Sequence, residues 1–87
     1  MSKWRVWIPE EGETEEGAVE MCALDSEDAA EKYVECRYDS EEYKRLARDG
    51  VLVHVIGCDK ILTHVRVYAE AVIEFYGEIE KEVVQRG

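Results

Sequence analysis

The chain has 87 residues, of which 46% are apolar and 37% charged, and it carries a formal net charge of −10. This length fits one domain, and the apolar fraction is too high for a disordered chain. The charge disfavours direct nucleic-acid binding, because phosphates are neutralised by clustered lysine and arginine. Residues 1–42 hold 14 of the 21 acidic and four of the 11 basic side chains, so they carry the whole net charge. A basic protein surface is the natural partner, and the alternative is that acidity serves solubility alone.

Hydropathy and cysteine content indicate the compartment. No apolar run reaches the roughly 18 residues that a membrane span needs, and no basic segment followed by an apolar one marks a signal peptide. The cysteines are odd in number and form no CxxC pair, which is typical of free thiols rather than of a disulfide scaffold. The sequence therefore predicts a cytoplasmic protein with no membrane partner.

The first predicted unit is a β-hairpin with an acidic tip. Residues 3–8 (KWRVWI) alternate between two faces, which is typical of a half-buried strand. The only proline, Pro9, cannot donate to a strand ladder and ends that strand. The next eight residues (EEGETEEG) contain two glycines and no apolar side chain, so they predict a loop. The strand returns in AVEMCAL, and the acidic hairpin spans 3–24.

Two tryptophans lie on opposite faces of this first strand. If Trp4 belongs to the core, Trp7 is covered either by the protein's own second layer or by a partner. Because tryptophan often contributes much of the energy at an interface, Trp7 is a candidate partner-binding residue.

A helical segment is predicted over 26–49. Asp25 and Ser26 are residue types that cap a helix N-terminus, and apolar residues follow at helical spacing. The opposite face carries three glutamates four residues apart, which repel one another mildly: Glu27, Glu31 and Glu35. A second, shorter helix is predicted over about 41–48, and Gly50 suits the position after its C-terminus.

The clearest β pattern lies in VLVHVI and ILTHVRVYA, which are rich in β-branched residues and joined by a short turn. If paired residue numbers sum to 118, Val53 faces Val65 on an apolar face of the sheet. The same register places His54 opposite His64 on the other face. A shift by one residue would mix the two faces, so this register is predicted.

The C-terminal stretch gives two conflicting patterns. Glutamates recur every four residues from Glu70 to Glu82, which fits a helix, whereas the residues between them include several strand formers. We predict an extended chain to about Tyr76, so that the second hairpin spans 51–76, and then a short or frayed helical tail over 77–87.

Together these elements predict a single α+β domain over residues 1–87. The order β-β-α-(α)-β-β gives an antiparallel sheet of about four strands, with one or two helices packed on one face. No internal repeat or low-complexity tract interrupts it.

The strings VWIPEEGETEEGA and ALDSEDAAEKYVE resemble a group of small acidic proteins encoded in bacterial and phage genomes. Members of that group open with VW-P, continue with G-E-T-E and begin a helix with D-x-E-x-A-A-E. Here these elements run from Val6 to Ala18 and from Asp25 to Glu31. The resemblance covers roughly residues 4–35. It implies a phage or mobile-element context and no catalytic residues.

No motif predicts a catalytic or metal site. His54, His64 and Cys58 lie on one hairpin, but three ligands there leave a tetrahedral zinc site incomplete, and the alternative is two partly exposed sheet-face histidines. The acidic tip lacks the Asp/Asn alternation of a calcium loop. A nucleophile elbow and a phosphate-binding glycine loop are both missing. We therefore predict a protein that is not an enzyme, with no cofactor and no bound metal.

These observations favour a small acidic protein-binding module. It would present its carboxylates to a basic, nucleic-acid-binding groove of a host defence nuclease, as an anti-CRISPR inhibitor that mimics nucleic acid does. The alternative is a structural or assembly domain that forms a homodimer through an exposed sheet edge. The candidate partner-binding residues are Glu10, Glu11, Glu13, Glu15, Glu16, Glu27, Glu31, Glu35 and Trp7.

Overall fold

A computed structural model of the chain describes residues 2–70 and 74–84. Five strands form one antiparallel sheet in the order β2-β1-β3-β4-β5, with two helices, so the α+β class is confirmed. The sheet has one strand more than the four predicted. The elements are β1 (Ser2–Trp7), β2 (Val19–Ala23), α1 (Ser26–Arg37), α2 (Tyr43–Arg48), β3 (Val51–Ile56), β4 (Ile61–Glu70) and β5 (Glu74–Val84), with short 3₁₀ turns at Pro9–Glu11, Glu15–Gly17 and Ser40–Glu42.

The core lies between the helices and one face of the sheet. Helix α1 contacts all five strands, and α2 packs on β4. Alternate residues of β3 and β4 point into this layer, which is why they are mostly valine. The buried side chains include Val6, Ile8, Ala29, Ala30, Val34, Leu46, Val51, Val53, Val55, Val65 and Val67. Among the described residues, no helix has the length and apolar character needed to cross a bilayer.

Helix α1 begins where the sequence predicts, at Ser26. The Asp25 side chain accepts a hydrogen bond from Asp28 N at 2.8 Å, which satisfies an amide of the first helical turn. The β3–β4 register also agrees with the prediction, with Val53 opposite Val65 and His54 opposite His64. Both results follow from local chemistry, because a capping side chain and a two-sided alternation leave few other arrangements.

The prediction of a helical tail is wrong for residues 77–84. Strand β5 continues to Val84 and pairs with β4 along its length. The glutamate spacing fits a helix, but the edge of the ten-residue β4 that faces away from β3 offers backbone partners that an isolated short helix cannot match. Residues 71–73 and 85–87, which that prediction also covered, lie outside the described residues.

Two consecutive residues of α1 reach opposite edges of the sheet. Gly77 N on β5 donates to Glu31 Oε2 at 2.7 Å, and Lys32 Nζ donates to Cys22 O on β2 at 3.3 Å. Helix α1 therefore supplies hydrogen-bond partners to both edge strands of the sheet.

Gly77 has no side chain, which allows Val65 and Glu31 to lie close to its backbone. A Cβ there would lie 2.7 Å from Val65 Cγ1 and 3.6 Å from Glu31 Oε2. We expect Gly77→Ala to lower the free energy of unfolding by about 1–3 kcal/mol, because overpacking displaces core side chains. Gly17→Ala is the matched control: its Cβ would meet nothing within 4 Å, and we expect a change within about 0.5 kcal/mol. Urea unfolding of both variants measures the difference, and equal stabilities would contradict the steric argument.

Candidate functional site

The acidic loop between β1 and β2 is bound to α1 through Glu13. One carboxylate oxygen accepts from Ile8 N at 2.9 Å and from Tyr33 Oη at 2.7 Å, while Arg37 Nε donates to the other at 3.0 Å. Partial burial alone would raise the pKa of Glu13, but the bonds from Tyr33, Ile8 and Arg37 outweigh it and hold this pKa below its usual value. Burial, together with the hydrogen bond to Glu13, raises the pKa of Tyr33 to about 12.

Three other loop glutamates also have partners within the protein. Tyr38 Oη donates to Glu11 Oε2 at 2.9 Å, and Leu52 N donates to Glu10 Oε1 at 2.9 Å. Glu15 pairs with Arg5 at 3.6 Å. Of the five loop glutamates that the sequence predicts to face a partner, only Glu16 is exposed without a hydrogen bond or ion pair to another described residue. The loop glutamates therefore mainly attach the hairpin to the helices and to β3.

The glutamate stripe of α1 lies along the β5 side of the helix. Glu31 in its centre accepts the bond from Gly77 N. Burial raises the pKa of Glu31, the Gly77 bond opposes this rise, and the nearby Asp28, Glu27 and Asp25 add to it. Glu27 and Glu35 lie one turn to either side and make no hydrogen bond or ion pair within the described ranges.

Edge strand β5 adds more negative charge beside this stripe. Glu78 and Glu82 are exposed, and neither pairs with a cation in the part of the chain that the structure describes. The Glu31–Gly77 contact joins the two elements directly. Glu82 lies opposite the buried Thr63, on the helix side of the sheet, whereas Glu78 lies opposite Arg66, on the other face. We call the helix-side surface the acidic flank, and it consists of Glu27, Glu31, Glu35 and Glu82.

Trp7 does not project into solvent. Only 5% of its surface is exposed, and its ring packs edge-on against His54, with 5.6 Å between the ring centroids. Trp4 lies on the helix side, where its indole N–H donates to Ala23 O at 3.2 Å. Trp7 is therefore buried by the protein's own residues, and a partner could reach only the margin of its ring.

His54 and His64 stack across β3 and β4. Their centroids are 4.1 Å apart and their planes differ by 2°. A metal ion bound to an imidazole nitrogen lies in the plane of that ring, so two parallel stacked rings cannot share one ion in this arrangement. Within residues 2–70 and 74–84, no group of three or more potential ligands is placed to hold a metal.

We expect His54 to make the stability of the protein depend on pH. Burial, and secondarily the neighbouring His64, lower the pKa of His54 below 6.5. Below the unfolded pKa, the unfolded chain therefore binds a proton that the folded chain does not, and stability decreases as pH falls. We expect the free energy of unfolding to decrease from about pH 7.5 to about pH 5.5 in the wild type and to change less in His54→Gln. Urea unfolding across this window measures the slopes; equal slopes would contradict the assignment.

Comparisons with protein-family models, curated proteins and solved structures found no match to this chain. The proposed function therefore rests on the charge and hydrogen bonding of the protein's own surface residues. The sequence predicts the helix stripe but not Glu82 as a member of the same surface, because the predicted strand does not extend past Tyr76. The four-residue glutamate spacing was present as a signal but was interpreted as a helix.

Proposed function

We propose that this protein is a non-catalytic binding module that presents the acidic flank to a basic groove of another protein. The observation that carries the proposal is the distribution of carboxylates without internal partners. Among the described acids, Glu27, Glu35 and Glu82 make no internal hydrogen bond or ion pair and lie on the helix side of one edge of the sheet. Their charge is available to a cation on another molecule.

The flank suits competition with nucleic acid. The three helix glutamates stand about 6 Å apart along a rigid axis, so they form an evenly spaced row of negative charge. The central one is held by the bond to Gly77 N, which fixes the row against β5. A groove lined with lysine and arginine binds such a row by the same charge neutralisation that it uses for phosphates. We propose a cytoplasmic phage or mobile-element inhibitor of a defence nuclease, of anti-CRISPR type.

The loop glutamates contribute less to the proposed binding surface than the sequence predicts. Glu10, Glu11 and Glu13 already accept hydrogen bonds from Leu52, Tyr38 and Tyr33. A partner arginine would have to displace those donors, which leaves buried groups unpaired and opposes binding. Glu16 is the loop residue that remains available.

Capture on immobilised protein tests the proposal. Purified nucleases of bacterial defence systems are passed over the protein with and without excess duplex DNA, at low and high salt. We expect at least one nuclease to bind, and to be released both by DNA and by salt, because its groove cannot hold both ligands and the contact is ionic. Binding that is indifferent to DNA and salt would sink the proposal.

Two features of β5 oppose the alternative function, self-association through a sheet edge. Strand β5 is a long edge, but its exposed side chains include Glu78, Glu80 and Glu82, and a bulge lies opposite His64 and Val65. An antiparallel pair of β5 strands would bring like charges together, which is how natural sheets prevent edge pairing.

A further inference from the structure

A row of four side chains crosses the sheet on the face that points away from the helices. Trp7 of β1 lies opposite His54 of β3. His54 in turn lies opposite His64 of β4, and His64 lies opposite Lys81 of β5. We call these four residues the histidine row. Its two imidazoles are the members that change charge between about pH 8 and about pH 5.

The stacked arrangement of the row requires at least one neutral imidazole. The ring of His54 lies edge-on against Trp7, and it lies parallel to His64 with 4.1 Å between the ring centroids. Both imidazoles are half-buried, so water screens a charge there less than it does on an exposed side chain. Two charged rings at this distance repel each other, and rotation of the side chains is the direct way to separate them.

The charged groups around the row oppose a second proton. Arg66 lies next to His64 on the same face, and Lys81 lies directly across from it, so two fixed positive charges border this ring. The carboxylate of Glu80 is bonded to Arg66 at 2.7 Å, and that of Glu10 accepts a backbone amide at 2.9 Å. In the part of the chain that the structure describes, neither imidazole has a carboxylate partner. The charged residues on this face near the two rings are Arg5, Glu10, Arg66, Glu78, Glu80 and Lys81.

We propose that the histidine row is a proton-operated contact, in which charging both imidazoles separates the rings and uncovers Trp7 while the domain stays folded. At neutral pH the Trp7 side chain is only 5% exposed, and His54 covers it on this face. The acid form presents an accessible indole beside the positive charge of the row. The inference goes beyond the proposed function and does not depend on it, because the acidic flank lies on the helix side of the sheet.

The rest of the molecule keeps its attachments over this pH range. On the helix side, β1 and the residue after it are held by the fully buried Val6 and Ile8. The pKa of Glu13 lies below its usual value, so this carboxylate stays charged and keeps its bonds to Ile8 N and Tyr33 Oη at about pH 5. The rearrangement is therefore local to the row, and it differs from the pH-dependent loss of global stability.

Nuclear magnetic resonance of the isotope-labelled wild type between about pH 8 and about pH 5 tests the proposal. The carbon-bound imidazole protons report the charge of each histidine. A neutral paramagnetic cosolute reports how accessible each indole N–H is. We expect relaxation of the Trp7 indole by the cosolute to increase several-fold as the second imidazole becomes charged. The Trp4 indole, which donates to Ala23 O, should show no such increase.

His64→Gln is the matched variant, because it removes one titrating ring and leaves the Trp7–His54 contact unchanged. In this variant we expect Trp7 to stay protected down to about pH 5, since only one proton can enter the row. An increase for Trp7 with the wild-type midpoint in folded His64→Gln would overturn the proposal. So would a folded wild type in which both imidazoles are charged while the Trp7 indole stays protected, and this second result does not depend on the variant.

Discussion

Glu13→Ala is expected to lower the free energy of unfolding by about 3 kcal/mol, a large part of the stability of so small a domain. The carboxylate accepts bonds from Ile8 N, Tyr33 Oη and Arg37 Nε. Ile8 is fully buried and Tyr33 is 8% exposed, so two buried donors lose their acceptor together. An unpaired buried donor costs about 1–3 kcal/mol, and the loss extends to the attachment of the acidic loop to α1.

Two further variants separate hydrogen bonding from charge. Glu13→Gln keeps an acceptor for Ile8 N and Tyr33 Oη but loses the ionic partner of Arg37, so we expect a loss of about half that of alanine. Glu16→Ala removes an exposed carboxylate of the same loop and should change stability by no more than about 0.5 kcal/mol. Equilibrium unfolding in urea gives all three values. Similar stabilities for Glu13→Ala and Glu16→Ala would show that the loop contacts contribute little.

Reversing charge on the acidic flank is expected to have the largest effect on binding. The double variant Glu27→Lys with Glu35→Lys replaces the two helix carboxylates that lack internal partners, so a basic groove meets repulsion in place of attraction. We expect the affinity for a captured nuclease to fall by about 100-fold or more, about tenfold for each reversed charge. Glu31 is left unchanged because it also bonds Gly77 N, and its loss would confound folding with binding.

The control for this variant carries the same change in net charge at other places. Glu16→Lys with Glu41→Lys reverses two exposed carboxylates, one in the loop and one beside α2. If binding needs only overall acidity, the two double variants weaken it equally. If the acidic flank is the contact surface, the control changes affinity by less than about tenfold at moderate ionic strength, because charges away from the contact are screened. Titration calorimetry on the same nuclease gives both affinities.

The parts of this fold that the sequence predicts are those with local causes. The cap at Asp25 and the alternation that pairs His54 with His64 depend on near neighbours and on a two-residue period, and both agree with the structure. The extent of β5 depends instead on the free edge of β4. A pattern within the tail could not reveal that partner, and the glutamate period favoured the wrong element.

At the candidate site, the partners of the loop glutamates are also distant in sequence, so a local pattern does not predict them. Glu10 accepts a hydrogen bond from Leu52, and Glu13 accepts one from Tyr33. These partners are 42 and 20 residues apart in the sequence. From composition alone, these side chains are predicted to form an acidic patch without partners inside the protein. The one sequence signal for their true role was the set of tyrosines and arginines at the end of α1, which can pair with carboxylates. That signal becomes specific only when the hairpin is folded against the helix.

The central claim is that a basic ligand contacts the acidic flank, and backbone amide shifts in a titration test it most directly. The ligand is an arginine-rich peptide of about 20 residues, added at low salt and then displaced with high salt. We expect the largest salt-sensitive shifts at residues 27–35 and around Glu82, with small ones at 10–16. The largest shifts at 10–16, or equal shifts over all acidic segments, would contradict the claim.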